Sequence, residues 1–345
     1  MKKYPDYYEN EEELETALSR PSRGVVEMIK KLDGDLIFLG VAGKMGVSMA
    51  RMAREACLQA GIEKRIIGVS RFSEELQRQL LEESGIETLK GDLLDLDFVR
   101  SLPDVKNVYY LAGTKFGTTG NESATWAMNA FLPGLVADKY KNSRIVAFST
   151  GCVYPHVHYQ SGGSKETDLP QPIGEYAQSC LGRERLFEFG SLKNHTPVLL
   201  IRLFYAVEMR YGVLVDIATK VLEEKPIDVT MGYVNVIWQG DANAMILRTI
   251  EHCESPARTL NITGPELLSV RETALKFGEL MNKKVTLTGV EAETALLGNA
   301  EESFKRFGKP EVGIDKLIFW TAQWVAGKHK LLGKPTHFEN RDGNY

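Results

Sequence analysis

Short apolar runs alternate with longer amphipathic stretches along most of the chain. Six runs predict strands, and they lie at residues 36–39, 66–69, 87–89, 108–111, 145–148 and 198–201. Short apolar runs separated by helical segments are typical of a parallel sheet covered on both faces, because each crossover returns a helix across the sheet. The pattern therefore predicts an α/β fold whose ligands bind beyond the carboxyl ends of the strands.

The first predicted strand runs into a turn that contains Gly40, Gly43 and Gly46. This turn opens an amphipathic helix, and the N–H groups at a helix N-terminus are unpaired and carry partial positive charge. Because glycines leave that backbone uncovered, the turn predicts a pyrophosphate site, with Lys44 and Met45 beside it. The spacing alone also fits a glycine-rich turn in another α/β protein, so the decision rests on the rest of the chain.

Residues 1–33 precede this strand. Two pieces with helical periodicity, at residues 14–18 and 25–32, are separated by Pro21. They predict an N-terminal extension of two short helices that pack on the main body, and we assign no chemistry to it.

The composition is that of a soluble globular protein. The 345 residues include 42 Lys and Arg against 46 Asp and Glu, which leaves a net charge of −4 and no electrostatic footprint for nucleic acid or a membrane surface. No apolar run has the length of a membrane span, and the N-terminus turns acidic where a signal peptide turns apolar, so we expect a cytoplasmic protein. The four cysteines form no C-x-x-C pair, and the sequence predicts no metal site.

Residues at the predicted strand ends favour a particular dinucleotide. Ser70 and Arg71 follow the second strand, where an acidic residue is usual for NAD and a hydroxyl followed by Arg suits the 2′-phosphate of NADP. NADP is therefore favoured over NAD, although Arg71 can instead be solvated or stack on adenine. Asp92 and Leu93 follow the third strand as contacts for the adenine end. The segment after the fourth strand places small residues near the cofactor with a cation behind them, and it comprises Ala112, Gly113, Thr114 and Lys115.

Several ordered motifs carry a family resemblance. They are the Gly40 turn, Gly91-Asp92-Leu93, Leu111-Ala112-Gly113, the strand end Ser149-Thr150 with Val153-Tyr154, Tyr176-Ala177-Gln178-Ser179, Arg202-Leu203-Phe204-Tyr205, Trp238-Gln239-Gly240-Asp241 and Leu260-Asn261-Ile262-Thr263-Gly264. In this order they resemble the extended short-chain dehydrogenases/reductases, the NAD(P)-dependent epimerase/dehydratase family. The resemblance covers most of residues 34–290.

The resemblance implies a Rossmann-type, doubly wound parallel sheet with a smaller C-terminal substrate domain. The dinucleotide domain would comprise residues 34–202 and 240–264, and the substrate domain and tail residues 203–239 and 265–345. It further implies a carbohydrate-like small-molecule substrate and a homodimer formed through helices of the dinucleotide domain. Whether the reaction is an epimerisation or a net oxidation is left open.

The family's chemistry implies roles for two residues and exposes one departure. Tyr176 would be the acid/base that takes the substrate hydroxyl proton, and Thr150 would orient the substrate oxygen. A phenol with an ordinary pKa of about 10 needs its phenolate stabilised, and the family uses a lysine four residues after the tyrosine. Here that position holds Cys180, which is not a fixed cation.

Three interpretations of this departure stay open. In the first, the enzyme is active and Lys115 or Arg183 replaces the lysine. In the second, the protein binds the dinucleotide as a regulator or scaffold without turnover. In the third, Cys180 takes part directly as a thiol acid/base or redox-sensitive group.

The sequence identifies the substrate-binding residues less specifically than the residues that bind the cofactor. The resemblance places Cys152, Tyr154 and Tyr205 beside it, but Tyr205 stands where nucleotide-sugar members carry Asn, so a free sugar or sugar acid fits as well. Arg210 can bind a carboxylate or phosphate, although a loop arginine is more often only solvated.

Overall fold

The structure is a computed structural model that describes residues 4–115, 117 and 120–343. The strands, in chain order, are β1 (Leu36–Leu39), β2 (Ile66–Ser70), β3 (Glu87–Lys90), β4 (Asn107–Tyr110), β5 (Arg144–Thr150), β6 (Val157–His158), β7 (Val198–Leu203), β8 (Tyr205–Val207), β9 (Ile227–Asp228), β10 (Tyr233–Val234), β11 (Val236–Trp238), β12 (Arg258–Ile262), β13 (Leu268–Ser269), β14 (Leu287–Thr288) and β15 (Thr294–Ala295). The α-helices are α1 (Glu11–Leu18), α2 (Arg23–Lys31), α3 (Gly46–Ala60), α4 (Glu75–Glu83), α5 (Leu96–Ser101), α6 (Glu122–Trp126), α7 (Leu132–Lys139), α8 (Gly174–Asn194), α9 (Val213–Leu222), α10 (Gln239–Arg248), α11 (Val270–Met281), α12 (Glu301–Phe307) and α13 (Ile314–Ala326).

Seven strands form one parallel sheet in the order β12-β7-β5-β4-β1-β2-β3. The order reverses between β1 and β4, so a crevice opens beyond their carboxyl ends, where ligands of doubly wound sheets bind. The predicted Rossmann-type sheet is thus confirmed, and β12 is the late strand that returns to complete it.

The sheet is buried on both faces, which explains its continuous apolar runs. All four residues of β1 are buried; Leu36 and Phe38 join the apolar cluster under α2, α3 and α10, while Ile37 and Leu39 join the one under α5, α7 and α8. Side chains of adjacent strand residues point to opposite faces, so a strand between two helical layers must be apolar at every position.

Besides the apolar clusters on the two faces of the sheet, which form the first core, a second core lies away from the sheet. This second cluster is built from the short strands β8 to β11, from α9, α11 and α13, and from α1. Tyr8 stacks on Trp238 within it, with ring centroids 6.3 Å apart. The N-terminal extension therefore divides between two cores, α1 in this cluster and α2 against the sheet layer. The domain limits given above stay a prediction.

The C-terminal tail after α13 folds back onto this second cluster. The Thr336 amide and hydroxyl both donate to Asp216 Oδ2, at 2.8 and 2.5 Å. Further along, Arg341 donates to the Thr294 carbonyl at 2.7 Å. These contacts hold the tail across the surface next to α9. Within the described ranges, no helix combines the length and apolar character that a bilayer crossing requires.

Candidate active site

A cavity of about 250 Å³ lies at the carboxyl end of the sheet. Its wall includes the glycine turn, the segment after β4, the end of β5, the start of α8, the turn between β8 and α9, and one residue of the C-terminal tail. The sequence-predicted site residues that line it are Gly43, Lys44, Met45, Gly46, Gly113, Thr114, Lys115, Thr150, Tyr176 and Tyr205. The topology thus brings residues from distant parts of the chain into one wall.

Close backbone approaches at the glycine turn require its small residues. Gly40 has φ +86°, and a Cβ built on it would lie 2.7 Å from the backbone nitrogen of Ala112 on the neighbouring strand end. A Cβ on Gly46 would lie 2.2 Å from the Val41 carbonyl oxygen. Gly43 lines the cavity, and a Cβ built on it would lie 3.3 Å from the Gly40 carbonyl oxygen. This uncovered backbone at the start of α3 fits a dinucleotide pyrophosphate.

Tyr176 and Thr150 meet on another wall of the cavity. Thr150 ends β5 and is 7% exposed, and it lies close enough to the Tyr176 phenol in the first turn of α8 to lower the pKa of that tyrosine. Cys180 lies one turn further along α8, is fully buried, and also influences the pKa of Tyr176.

Burial sets the protonation of this group. It raises the pKa of Tyr176 well above its ordinary value, Cys180 adds to the rise, and Arg183 and Thr150 act in the opposite direction. Burial likewise raises the pKa of the Cys180 thiol to about 11. At neutral pH Cys180 is therefore a neutral thiol, which places no negative charge beside the phenol.

Arg183 is the buried cation of this wall and is held by three groups. It donates to the Phe148 carbonyl at 2.8 Å and to Asn129 Oδ1 at 2.7 Å, and its guanidinium lies 5.7 Å from the centroid of the Tyr110 ring. The arginine side chain cannot lose its proton at neutral pH, so Arg183 is a fixed charge near Tyr176.

Asn129 is a site residue that the sequence reasoning missed. Its amide accepts from Thr114 N at 2.8 Å and donates to the Thr114 carbonyl at 2.9 Å, so it holds the segment after β4. It also donates to Ser179 Oγ on α8 at 3.0 Å. Asn129 is fully buried in a π-helical turn, Ala127–Phe131, and such turns are frequent at functional sites. The sequence signal that could have identified Asn129 is a single amide side chain between the apolar residues Met128 and Ala130.

Two lysines face the cavity from different sides. Lys115 Nζ lies 3.4 Å from the Thr336 carbonyl oxygen, which brings the C-terminal tail to the cavity wall. Lys44 Nζ donates to the Ala206 carbonyl at 2.6 Å and lies 4.0 Å from the centroid of the Tyr211 ring. The backbone of Lys44 thus belongs to the glycine turn, while its ammonium group hydrogen-bonds a backbone carbonyl of β8.

The residues predicted for the adenine end lie outside this cavity. Ser70 ends β2 and is paired in register with Lys90 on β3, and Arg71 follows directly after β2; none of these residues lines the cavity. The Asp92 carboxylate accepts from Leu94 N at 3.0 Å, and Leu93 is 6% exposed. These residues follow β2 and β3, on the β1 side of the switch point.

Three of the predicted substrate residues are not among those that line the cavity. The Cys152 amide donates to Thr150 Oγ1 at 3.1 Å, so its backbone helps to fix the end of β5. The Tyr154 side chain is 2% exposed, and its hydroxyl accepts from Arg202 at 2.7 Å and donates to Asn261 at 3.0 Å.

Arg210 pairs with carboxylates and is not among the residues that line the cavity. It pairs with Glu208 at 3.1 Å and with Glu15 of α1 at 2.7 Å, and Glu11 lies at 3.5 Å. These pairs fasten the N-terminal extension to the turn after β8. The fold thus already engages the polar atoms of Tyr154 and Arg210, and a role for either residue in substrate binding stays a prediction.

The described residues contain no cluster of three or more His, Cys, Asp or Glu side chains arranged to hold a metal ion. What they do contain is a backbone cradle at a strand-to-helix turn, facing a hydroxyl–phenol pair at the head of a long helix. These features define a Rossmann-type protein.

The sequence places the chain in a family that agrees with this site. Residues 37–230 match the family model described as the NAD dependent epimerase/dehydratase family, and the chain belongs to that family. The prediction of an enzyme from the epimerase/dehydratase group of extended short-chain dehydrogenases/reductases is thereby confirmed. No curated protein sequence matches the chain.

Solved structures share the fold at low sequence identity. UDP-glucuronic acid 4-epimerase from Bacillus cereus, in complex with UDP-glucuronic acid and NAD, superposes with a TM-score of 0.70 at 18% identity, over 86% of this chain and 100% of that one. MoeE5 in complex with UDP-glucose and NAD gives 0.69 at 17% identity, over 85% and 99%. The UDP-glucose 4-epimerase of Thermus thermophilus in complex with NAD gives 0.68 at 17% identity, also over 85% and 99%.

Proposed function

We propose that the chain catalyses dinucleotide-dependent oxidation and reduction at a secondary alcohol of a sugar, sugar acid or nucleotide-sugar, as an epimerase or a dehydrogenase. The observation that carries the proposal is that Thr150 and Tyr176 line one cavity together with the glycine turn, with Thr150 close enough to Tyr176 to lower its pKa. This arrangement supports a proton acceptor and an orienting hydroxyl beside an anion-binding backbone.

The glycine turn would hold the dinucleotide pyrophosphate, and Gly113 and Thr114 would lie beside the bound cofactor. When bound, the dinucleotide supplies a nicotinamide that accepts a hydride from the alcohol carbon. Arg71 at the carboxyl end of β2 supports NADP over NAD, because a cation at that position suits a 2′-phosphate. Asp92 and Leu93 would contact the adenine end.

Tyr176 would take the hydroxyl proton as the hydride leaves, while Thr150 would hold the substrate oxygen. Arg183 is the group that best replaces the missing lysine, because its fixed charge already lowers the pKa of Tyr176 in this structure. Lys115 lines the cavity but has its ammonium near Thr336 and is better placed to hold bound ligand than to act on the phenol.

Nucleotide-sugar substrates of the structural neighbours support a carbohydrate as the ligand. Tyr205 lines the cavity and would pack against the sugar. The neighbours bind NAD, so the preference for NADP is specific to this proposal and is tested separately below.

The test measures turnover and binding in parallel. Protein saturated with NAD or NADP is incubated with UDP-glucuronic acid and UDP-glucose; epimeric products are resolved by chromatography, and net redox is followed by nicotinamide absorbance. We expect Tyr176→Phe to reduce turnover about 10²- to 10⁴-fold with nearly unchanged dinucleotide affinity, since only the proton transfer is removed. Tyr7→Phe, at a side chain that is 45% exposed, is the matched control.

A Tyr176→Phe variant with unchanged turnover would show that the acid/base assignment is wrong. A wild-type protein that binds the dinucleotide but turns over no substrate would favour the second function, a dinucleotide-binding regulator or scaffold. The observation in favour of that alternative is the cysteine in place of the lysine, beside a tyrosine whose pKa is raised by burial.

A further inference from the structure

The turn between β8 and α9, residues 208–212, forms part of the cavity wall. Tyr211 and Gly212 line the cavity, and Lys44 Nζ of the glycine turn lies 4.0 Å from the centroid of the Tyr211 ring. Two backbone hydrogen bonds close the turn, Glu208 N to the Tyr211 carbonyl at 3.0 Å and Tyr211 N to the Glu208 carbonyl at 3.2 Å. The place of Tyr211 beside the glycine turn therefore depends on what holds residues 208–212.

Arg210 fastens this turn to segments near both ends of the chain. Its side chain is 10% exposed, and its guanidinium pairs with Glu208 in the same turn at 3.1 Å, with Glu15 of α1 at 2.7 Å and with Glu11 at 3.5 Å. Its backbone carbonyl accepts from Leu332 N of the C-terminal tail at 3.0 Å. Both α1 and Leu332 lie outside residues 37–230, so the partners that anchor this turn lie beyond the region that matches the family model.

Glu15 also links the turn to the helix that begins at the glycine turn. Its Oε1 accepts from Arg210, and its Oε2 lies 3.7 Å from Arg51 Nη1 on α3. The Glu15 side chain is 21% exposed, so water screens its pair with Arg210 less than it screens a surface pair. Without the Glu15 charge, the closest carboxylate to Arg210 would be Glu208, which lies in the same turn and cannot anchor the turn to another element.

We propose that Glu15 is a positioning residue for the cavity: by anchoring Arg210 it fixes residues 208–212 and thereby Tyr211, so the N-terminal extension takes part in ligand binding. This inference rests on the proposed function and adds to it a residue outside the matched family region. Glu15 acts through Arg210 on the cavity wall rather than on Thr150 or Tyr176. Its loss should therefore weaken substrate binding and leave the chemical step nearly unchanged.

The first experiment measures the turn directly and needs no substrate. Amide hydrogen exchange of the whole chain is followed by mass spectrometry in a peptide that covers residues 205–213, which includes the two amides that close the turn. We expect Glu15→Gln to accelerate exchange there about tenfold, because the turn opens more often when its anchor is lost. The matched control is Glu12→Gln, at an exposed carboxylate of the same helix, and exchange in β5 shows whether the rest of the fold is intact. Unchanged exchange in residues 205–213 would overturn the inference.

The second experiment separates positioning from direct substrate binding. Steady-state kinetics are measured at saturating dinucleotide with UDP-glucuronic acid and UDP-glucose, the two substrates that test the proposed function. We expect Glu15→Gln to raise KM about tenfold and to change kcat less than about twofold. In a double-mutant cycle, Glu15→Gln should add little to the effect of Arg210→Met, because both variants remove the same contact. A fall in kcat at unchanged KM, or independent effects of the two variants, would contradict the positioning role.

The two variants also distinguish Arg210 as an anchor from Arg210 as a ligand residue. If Arg210→Met raises KM and Glu15→Gln does not, Arg210 binds the substrate directly and the inference fails. The proposed function fails on a different result, namely turnover that is unchanged in Tyr176→Phe or absent in the wild type. In that case hydrogen exchange still decides whether Glu15 fixes the turn, so the two failures are distinguishable.

Discussion

Arg183 donates a 2.7 Å hydrogen bond to the side-chain oxygen of Asn129, and this contact joins α8 to the segment after β4. The same guanidinium is the fixed cation that acts on Tyr176. Under the proposed function, Arg183 would supply from one helical turn beyond Cys180 the charge that the family places four residues after its tyrosine. Predictions follow from this arrangement and from the buried groups around it.

Replacing Arg183 should impair the chemistry rather than dinucleotide binding. Arg183→Leu removes the charge that lowers the pKa of Tyr176, so that pKa rises and the basic form is reached at higher pH. We expect turnover to fall about 10²-fold or more at neutral pH, with the rising limb of the pH–rate profile moved upward. Arg183→Lys should restore part of the rate.

Arg185→Leu is the matched control, because Arg185 lies on the same helix, is largely exposed and pairs with Glu188. A pH profile that stays in place in a folded Arg183→Leu protein would contradict the role given to Arg183.

Cys180 should prove to be a packing residue. It is fully buried with a thiol pKa of about 11, so the nucleophilic thiolate is scarce at neutral pH. Cys180→Ala should keep turnover within a few-fold and lower the free energy of unfolding by about 1 kcal/mol through the lost packing. A sharp loss of activity in both Cys180→Ala and Cys180→Ser would instead assign the thiol a direct part.

The same thiol should make stability depend on alkaline pH. Its folded-state pKa is raised from the ordinary 9.0, so between these values the folded state binds more protons and the stabilisation is lost as the pH rises through about 11. Urea unfolding at about pH 8 and pH 10.5 should show a smaller decrease for Cys180→Ala than for the wild type.

Glu184 should be essential for stability. Its carboxylate accepts from Arg202 at 2.7 and 3.0 Å and from Ser149 at 2.5 Å, and all three residues are buried. Glu184→Ala leaves the Arg202 cation buried without its partner, at a cost of about 3–5 kcal/mol in the free energy of unfolding. Glu188→Ala, one turn later on α8, should cost less than about 1 kcal/mol because its pair with Arg185 is solvated.

Arg71 should decide the choice of dinucleotide. It is exposed at the carboxyl end of β2, where a 2′-phosphate would gain a charge-assisted hydrogen bond. Arg71→Leu should weaken NADPH binding about tenfold or more and leave NADH binding nearly unchanged, as measured by fluorescence titration. Equal effects on both dinucleotides would mean that Arg71 stacks on the adenine or contacts a part that they share.

The predicted homodimer should depend on the outer surface of α8. Phe189 and Leu192 are 61% and 60% exposed there, and α8 packs closely on α7 at Gly190, where a Cβ would lie 2.8 Å from Ala137 Cβ. Burying these side chains against a second copy would remove apolar surface from water. Phe189→Asp should convert a dimer to a monomer by light scattering; an unchanged mass would exclude this surface.

Much of the fold and part of the site follow from the sequence. Fully buried parallel strands must be apolar throughout, so residues 36–39 and 145–148 are recognisable in isolation. Gly40 stands out in the sequence as a glycine directly after a strand. The structure gives the reason for it, because the positive φ and the close approach to Ala112 admit no side chain. The order of such motifs was enough to indicate the family before any contact was known.

Tertiary structure alone decided which polar groups remain available at the site. Arg210 and Tyr154 looked like ligand residues, but carboxylates of α1 and the Arg202 side chain engage them, and such partners are far away in sequence. Asn129 and Thr336 reached the site only through the packing of distant segments. A local pattern fixes what a residue can do chemically, but the long-range contacts of the fold determine whether its polar atoms face a ligand or another residue.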